Sequence, residues 1–174
     1  MRTWSLLALP LLSACAAAGP IASATSTSTP TVLGTTDVAE PANLAPLPTA
    51  SENLGHQSFG ILLNDTRGDY DVLPVVANDI LMEAATLHAQ DMVENDYLSH
   101  TDLNGGSAGD RVLALGYDYS FVAENIAQGF SDQETVMEAW MNSPGHQSNI
   151  LDPRAVEFGI AQEDTTWVLL LGSQ

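Results

Sequence analysis

The sequence predicts an α+β domain carried behind an N-terminal segment that does not belong to the fold. Three observations lead there. Helix-period apolar patterns fill much of the stretch after residue 56, and two strand-like runs, VEFGIAQED and TTWVLLLGSQ, close the chain. Strands and helices do not alternate in the manner of a parallel βαβ sheet, and no internal repeat is found. At 174 residues the chain is long enough for one compact domain and a tail.

The first element is a leader. Met1-Arg2-Thr3 is a short positive region, and Trp4–Leu12 is an apolar run too short to span a bilayer as a mature helix. It ends in Leu12-Ser13-Ala14-Cys15, which resembles the bacterial lipoprotein box. That resemblance implies cleavage before Cys15 and a lipid on its thiol; the alternative is a plain secretory signal cut between Ala14 and Ala18. Cys15 is the one cysteine in the chain, so no intrachain disulfide is available and stability must come from packing. Two or more acyl chains anchor stably where one does not. In a Gram-negative host, Ala16 in place of an aspartate after the cysteine points to the outer membrane.

Residues 16–55 are rich in Ala, Ser, Thr and Pro, a composition that cannot bury a core. Such a segment reads as a tether spanning about 35 Å as a flexible coil. The chain therefore divides into a leader over 1–14, a lipid-bearing tether over 15–55 and a folded domain over 56–174.

Within the domain, Phe59, Leu62 and Leu63 recur at helical spacing in a first helix ending near Gly68. A second runs from Asn78 to Asn95, with an apolar stripe of Leu81, Ala84, Ala85, His88 and Met92. His88 on that stripe reads as a hydrogen-bonded core histidine. A glycine-rich loop leads to a short helix, Asp110–Leu115, stopped by Gly116. Ser131-Asp-Gln-Glu134 has the form of a capping box opening a helix whose Val136, Ala139 and Trp140 face inward. Pro144 ends that helix, because the residue before a proline is kept out of helical geometry.

Four Arg and no Lys stand against 22 Asp plus Glu, a net charge of −18. Such a field repels phosphate backbones and argues against nucleic acid as a partner.

Three segments hold polar residues that packing does not explain: Tyr97-Leu-Ser-His100, the strand-like Ala123-Glu-Asn-Ile-Ala127, and Ser143-Pro-Gly-His146. A carboxylate in an apolar stretch such as FVAENIAQG needs partners. Two histidines are suitable ones, since each can donate to a carboxylate or ligate a metal while its other nitrogen is oriented. By spacing alone each histidine could equally be structural, for no HExxH or other short-spaced ligand motif is present.

The order of the segments says more. HAQDM, YLSHTD, DRVLALGY, AENIAQG, EAWMNSPGHQSNIL and a strand bearing Gly159 together resemble the CAP superfamily, the SCP-like or cysteine-rich secretory, antigen 5 and pathogenesis-related group, in its bacterial branch. The likeness runs from about Leu62 to the C-terminus. It implies an α-β-α sandwich with a small antiparallel sheet between helical layers, and a central cleft with two histidines and acidic residues. Position by position, it carries over to His100, Glu124 and His146 as cleft residues, with His100 and His146 as metal ligands if a metal is bound. Where many relatives have a second glutamate, this chain has Ser143, and the glycine of the GEN motif is Ala123. Pro144-Gly145 would then turn the chain so that His146 opens a short helix facing the cleft, with Asn149–Leu151 packed behind. Asp110-Arg111 reads as a structural ion pair.

Three functions fit these residues. The domain could be an envelope binding module for a lipid, glycan, peptide or protein, with the membrane met through the N-terminal lipid. It could be a hydrolase of peptides or envelope polymers, using Zn²⁺ or another divalent cation on His100 and His146 with Glu124 as base or orienting group. Or Ser143 or Ser99 could be a nucleophile served by a histidine and Glu124, although no strained elbow is readable. Binding is the preferred reading and hydrolysis the alternative, in an exported protein that is lipid-anchored or secreted.

Overall fold

The computed structural model describes residues 50–174, so the leader, Cys15 and most of the tether lie outside the described residues. The elements are α1 (Ala50–Gly68), β1 (Val76–Ala77), α2 (Asp79–Glu94), α3 (Ala108–Ala114), β2 (Phe121–Gln128), α4 (Gln133–Met141), α5 (Pro144–Ile150), β3 (Glu157–Glu163) and β4 (Thr166–Ser173). One sheet runs in the order β1-β3-β4-β2. Its three long strands pair antiparallel, as anticipated; the two-residue β1 pairs parallel with β3 and makes the sheet mixed.

β4 organises the molecule. From Thr166 to Gly172 every residue is buried, because helices cover both faces of the sheet at this strand. Trp167, Leu169 and Leu171 point into one apolar core with Phe59, Leu63, Val136 and Trp140, which brings α1, α4 and α5 onto that face. Val168 and Leu170 point into the other core with Leu81, Ala85, Met92 and Val112, on the side of α2 and α3. The result is an α-β-α sandwich, with the period-2 alternation of a strand sorting one apolar run into two cores.

Local chemistry sets the helix ends. The Asn78 side chain accepts from the backbone N–H of Ile80 and Leu81 and starts α2. At α3, Ser107 and Asp110 form a reciprocal capping box, and Gly116, at φ +91°, follows the end of the helix. The box anticipated at Ser131–Glu134 does not form. Asp132 is the N-cap of α4, its carboxylate accepting from the Thr135 N–H at 2.9 Å, a stronger acceptor one residue further on. The buried stripe of α4 is Val136, Met137 and Trp140, and Ala139, expected to face inward, is half-buried. Pro144 occupies the first turn of α5, where its missing N–H costs nothing.

Two further features were not anticipated. α1 begins at Ala50, inside the span read as tether. Near its end, Arg67 is fully buried and serves backbone carbonyls: Nε donates to Leu73 O (2.8 Å) and the terminal nitrogens to Ile150 O (2.6 Å) and Ala155 O (3.3 Å). This one side chain ties α1 to the segment between α5 and β3.

α2 crosses β3 at Gly159, where a Cβ would lie 2.1 Å from the backbone carbon of Leu81 and 2.3 Å from its oxygen. Backbone cannot step aside as a side chain can, so the absence of a Cβ permits this helix–sheet distance. Gly159→Ala is expected to destabilise the domain by about 1–3 kcal/mol or more, read as a lower urea midpoint with an unchanged fold by circular dichroism.

Candidate functional site

β2 is an edge strand whose alternation sends neighbouring side chains to opposite faces. Val122 and Ile126 pack with the α2/α3 core, whereas Phe121 and Ala127 pack with the other. Glu124 therefore points toward α3 and the loop after α2, and Asn125 toward α5.

The Glu124 side chain is only 3% exposed, and both of its oxygens are engaged. Oε1 accepts from His100 Nδ1 at 2.8 Å, and Oε2 accepts from an Arg111 terminal nitrogen at 2.5 Å. Arg111 also donates to the carbonyls of His100 and Gly106, both at 3.2 Å, clamping the 100–106 loop onto α3. The ion pair expected between Asp110 and Arg111 is thus not the one that forms. Asp110 is occupied by the Ser107 cap, and Arg111 turns inward to neutralise the buried carboxylate.

The hydrogen bond from Nδ1–H to a carboxylate leaves Nε2 of neutral His100 as the unprotonated acceptor. The ring is 57% exposed, so that nitrogen is presented to solvent. His146, in the first turn of α5, is partly buried and makes no side-chain hydrogen bond to either residue. Burial and the nearby charge of His100 both hold its pKa below the ordinary histidine value. It is brought to the same edge from the opposite layer by two asparagines. Asn125 donates to His146 O at 3.1 Å, and Asn149 donates to Glu124 O at 3.2 Å and to Asn125 Oδ1 at 2.9 Å. The sandwich meets around the edge of β2, and residues from both helical layers share it.

His88 is 1% exposed, as its place on the α2 stripe suggested, and its Nε2–H donates to Ser99 O at 2.9 Å. Burial, followed by the charge of Arg111, lowers its pKa. Ser99 Oγ accepts from the Thr101 N–H, a turn contact, and the Ser143 hydroxyl makes no capping bond at α5.

For a metal, the donors fall short. Among the described residues no group of three or more His, Cys, Asp or Glu side chains is placed to hold an ion. Glu124 is committed to His100 and Arg111, and Ser143 offers a hydroxyl, not a carboxylate. Two imidazoles are fewer than the three protein ligands of an open catalytic zinc site.

Sequence reasoning missed Arg111 and Asn125 as members of this arrangement, and it placed Asn149 behind His146 without its bonds to β2. A signal for the first existed: a buried glutamate needs a cation, and the domain holds only Arg67, Arg111 and Arg154 to supply one.

Comparison with known proteins places the architecture. A model of the CAP domain, the cysteine-rich secretory protein family, matches residues 61–166, more than half of the chain. The chain belongs to the CAP family. The family name notwithstanding, this CAP protein has a single cysteine, outside the described residues. The uncharacterized Bacillus subtilis protein YkwD is 35% identical over 99 residues, covering 57% of this chain and 38% of the relative. An uncharacterized membrane protein of the same organism, YlbC, is 36% identical over 78 residues, 45% of this chain and 22% of its own length. The chain thus spans well under half of the curated relatives it matches. Among solved structures, it is similar to an extracellular SCP-domain protein from Bacillus anthracis, with a TM-score of 0.67 and 26% identity over 70% of this chain and 41% of the other. An outer surface protein from Borrelia burgdorferi shares the fold at TM-score 0.65 and 21% identity, over 73% of this chain and 96% of the other. No helix among the described residues is long and apolar enough to cross a membrane.

Two outcomes follow for stability. Removing one partner of the buried Arg111–Glu124 pair strands the other, so Arg111→Met should cost about 3–5 kcal/mol in urea denaturation. The double change Arg111→Met/Glu124→Gln should recover a substantial part of that loss. With pH, His88 and His146 both have folded pKa values depressed below 6.5, the value taken for the unfolded chain. The unfolded state then binds more protons, so their contribution is intact above pH 6.5 and is lost as pH falls through the lower folded values. The urea midpoint should drop on acidification below that point, and His146→Gln should flatten the drop.

Proposed function

We propose that this CAP domain is an extracytoplasmic binding module of the cell envelope, held to a membrane by a lipid on Cys15, with His100, Glu124 and His146 as its recognition face. The observation that carries the reading is the full engagement of Glu124. A carboxylate that is 3% exposed and has both oxygens already accepting, from Arg111 and His100, is not presented to a substrate proton as a general base must be. Its effect is to fix the tautomer of His100, which offers Nε2 to an N–H or O–H donor on a ligand. Burial, followed by the charge of His100, lowers the pKa of His146 nearby, which favours its uncharged ring. Such a face suits recognition of an envelope lipid headgroup, glycan, peptide or protein.

The export part rests on the leader ahead of Cys15 and is supported by the kinds of protein with this fold, one extracellular and one at an outer surface. One observation favours the hydrolase as a second reading: an imidazole oriented by a carboxylate is also how metal-binding histidines are held. His100 and His146 would then be the protein ligands of Zn²⁺ or another divalent cation, which would supply Lewis acidity. Because the donors here fall short of a three-ligand site, no reaction step is assigned to it.

The full chain immobilised through its C-terminus should capture at least one of three probes: phospholipid vesicles, muropeptides or envelope polypeptide fragments. His100→Ala and His146→Ala should each reduce that capture by about tenfold. Capture that is indifferent to both changes would remove the face from the proposal. Zinc calorimetry separates the alternative, since tight binding lost in both variants, together with chelator-sensitive turnover of the same fragments, would favour hydrolysis. In cell fractionation, Cys15→Ser should move the protein from the membrane to the soluble fraction.

A further inference from the structure

Behind Arg111, between α2, α3 and the loop at 102–104, lies a cavity of about 280 Å³. Leu87 and Ala114 contribute to its apolar wall, and Asp91, Asp102 and Asn104 line it with polar groups. His88 and Arg111 line it too, and each has one buried atom with no hydrogen-bond partner, His88 Nδ1 and Arg111 Nε. No other buried side-chain nitrogen or oxygen among the described residues lacks a partner. Native structures leave few such atoms, and both of these belong to residues that line one cavity, which calls for a cause.

The two atoms are opposite in sense. Because His88 Nε2 donates to a carbonyl, neutral Nδ1 is a lone-pair acceptor, whereas Arg111 Nε carries a hydrogen and can only donate. An ammonium would serve His88 and be repelled by the guanidinium. An anion would serve Arg111 and face two carboxylates. A hydroxyl does both, donating to Nδ1 and accepting from Nε–H. Asp91 and Asp102 retain lone pairs beyond their bonds to Tyr97, Asn95, Asn104 and Gly106, so further hydroxyls find acceptors at the same cavity. The volume is near the lower end of small-molecule sites, which run from about 300 Å³, and so holds one ring, not a chain.

We propose that this cavity is a saccharide subsite for one neutral pyranose ring. One ring hydroxyl bridges His88 and Arg111, others meet the carboxylates, and the apolar face of the ring lies on Leu87 and Ala114. The two orphan atoms are out of reach of water in this conformation, so the sugar enters as exposed neighbours turn aside. Leu87 and Asn104 are exposed and have solvent to turn into. The cavity is lined by neither His100 nor His146, although Arg111, which lines it, also holds Glu124 of the recognition face proposed above.

The test is saturation-transfer NMR on the full chain with glucose and N-acetylglucosamine as separate probes at millimolar concentration. At least one should receive saturation and show a measurable Kd. Ala114→Leu and Leu87→Trp, both at exposed helix positions, fill the cavity and should each weaken that Kd by about tenfold or more. Circular dichroism checks that each variant is folded, and His146→Ala should leave sugar binding within about twofold of the parent. Absence of binding for both sugars, or binding that survives in a folded cavity-filling variant, would overturn the proposal. So would a crystal structure grown with N-acetylglucosamine that shows a water alone bridging His88 and Arg111. Loss of sugar binding in His146→Ala with retention in Ala114→Leu would instead place the sugar at the recognition face.

Discussion

A carboxylate taken almost wholly out of water at a sheet edge dictates much of what surrounds it. Glu124 cannot remain buried and charged without a compensating cation and hydrogen-bond donors, and it has both. Satisfying it brings Arg111 from α3 and His100 from the loop after α2 to one point, and the spare donors of Arg111 hold that loop through two carbonyls. The same strand sends Asn125 to the other face, where it grips the first turn of α5. A single edge strand thus sets the positions of two helices, one long loop, the exposed imidazole of His100 and the half-buried one of His146.

The arrangement separates rigidity from exposure. Glu124 and Asn125 are buried, and Arg111 is 12% exposed, whereas His100 reaches solvent. Buried, mutually bonded groups hold a ring that faces outward, which is how a site avoids the entropy cost of ordering its own side chains when a ligand arrives. It also explains why the scarcity of cations matters. With four Arg and no Lys in the chain, each arginine of the domain is committed to a distinct task. Arg67 binds carbonyls at the core, Arg111 neutralises Glu124, and Arg154 pairs with Asp152 at 2.6 Å.

Much of the fold was legible in the residues. The uninterrupted apolar run of β4, the stripe of α2 with His88 on it, and the Pro144 break are local patterns, and local patterns survive folding when they agree with burial. The misses share one physical origin. The cap of α4 went to Asp132 because an ionised acceptor outcompetes a hydroxyl, a difference that composition-based matching of a capping box ignores. The start of α1 at Ala50 and the two-residue β1 depend on contacts with distant segments, β1 existing only through its pairing with β3. The partner of Arg111 was missed because adjacency in sequence is not adjacency in space: Asp110 precedes it on α3 and serves the cap, while Glu124 lies thirteen residues on and faces it.

By itself, the sequence determined the helix and strand periods, the excess of negative charge, the single cysteine and the order of segments that marks the family, since each is a property of residue type and spacing along one chain. Tertiary structure alone decided that Glu124 is shared between His100 and Arg111, that Asn125 and Asn149 carry His146 to the same edge from the other layer, and that His88 and Arg111, each with an unmet bond, line one cavity. Those facts depend on distances between residues remote in sequence, and packing two helical layers against one doubly buried strand is what sets such distances.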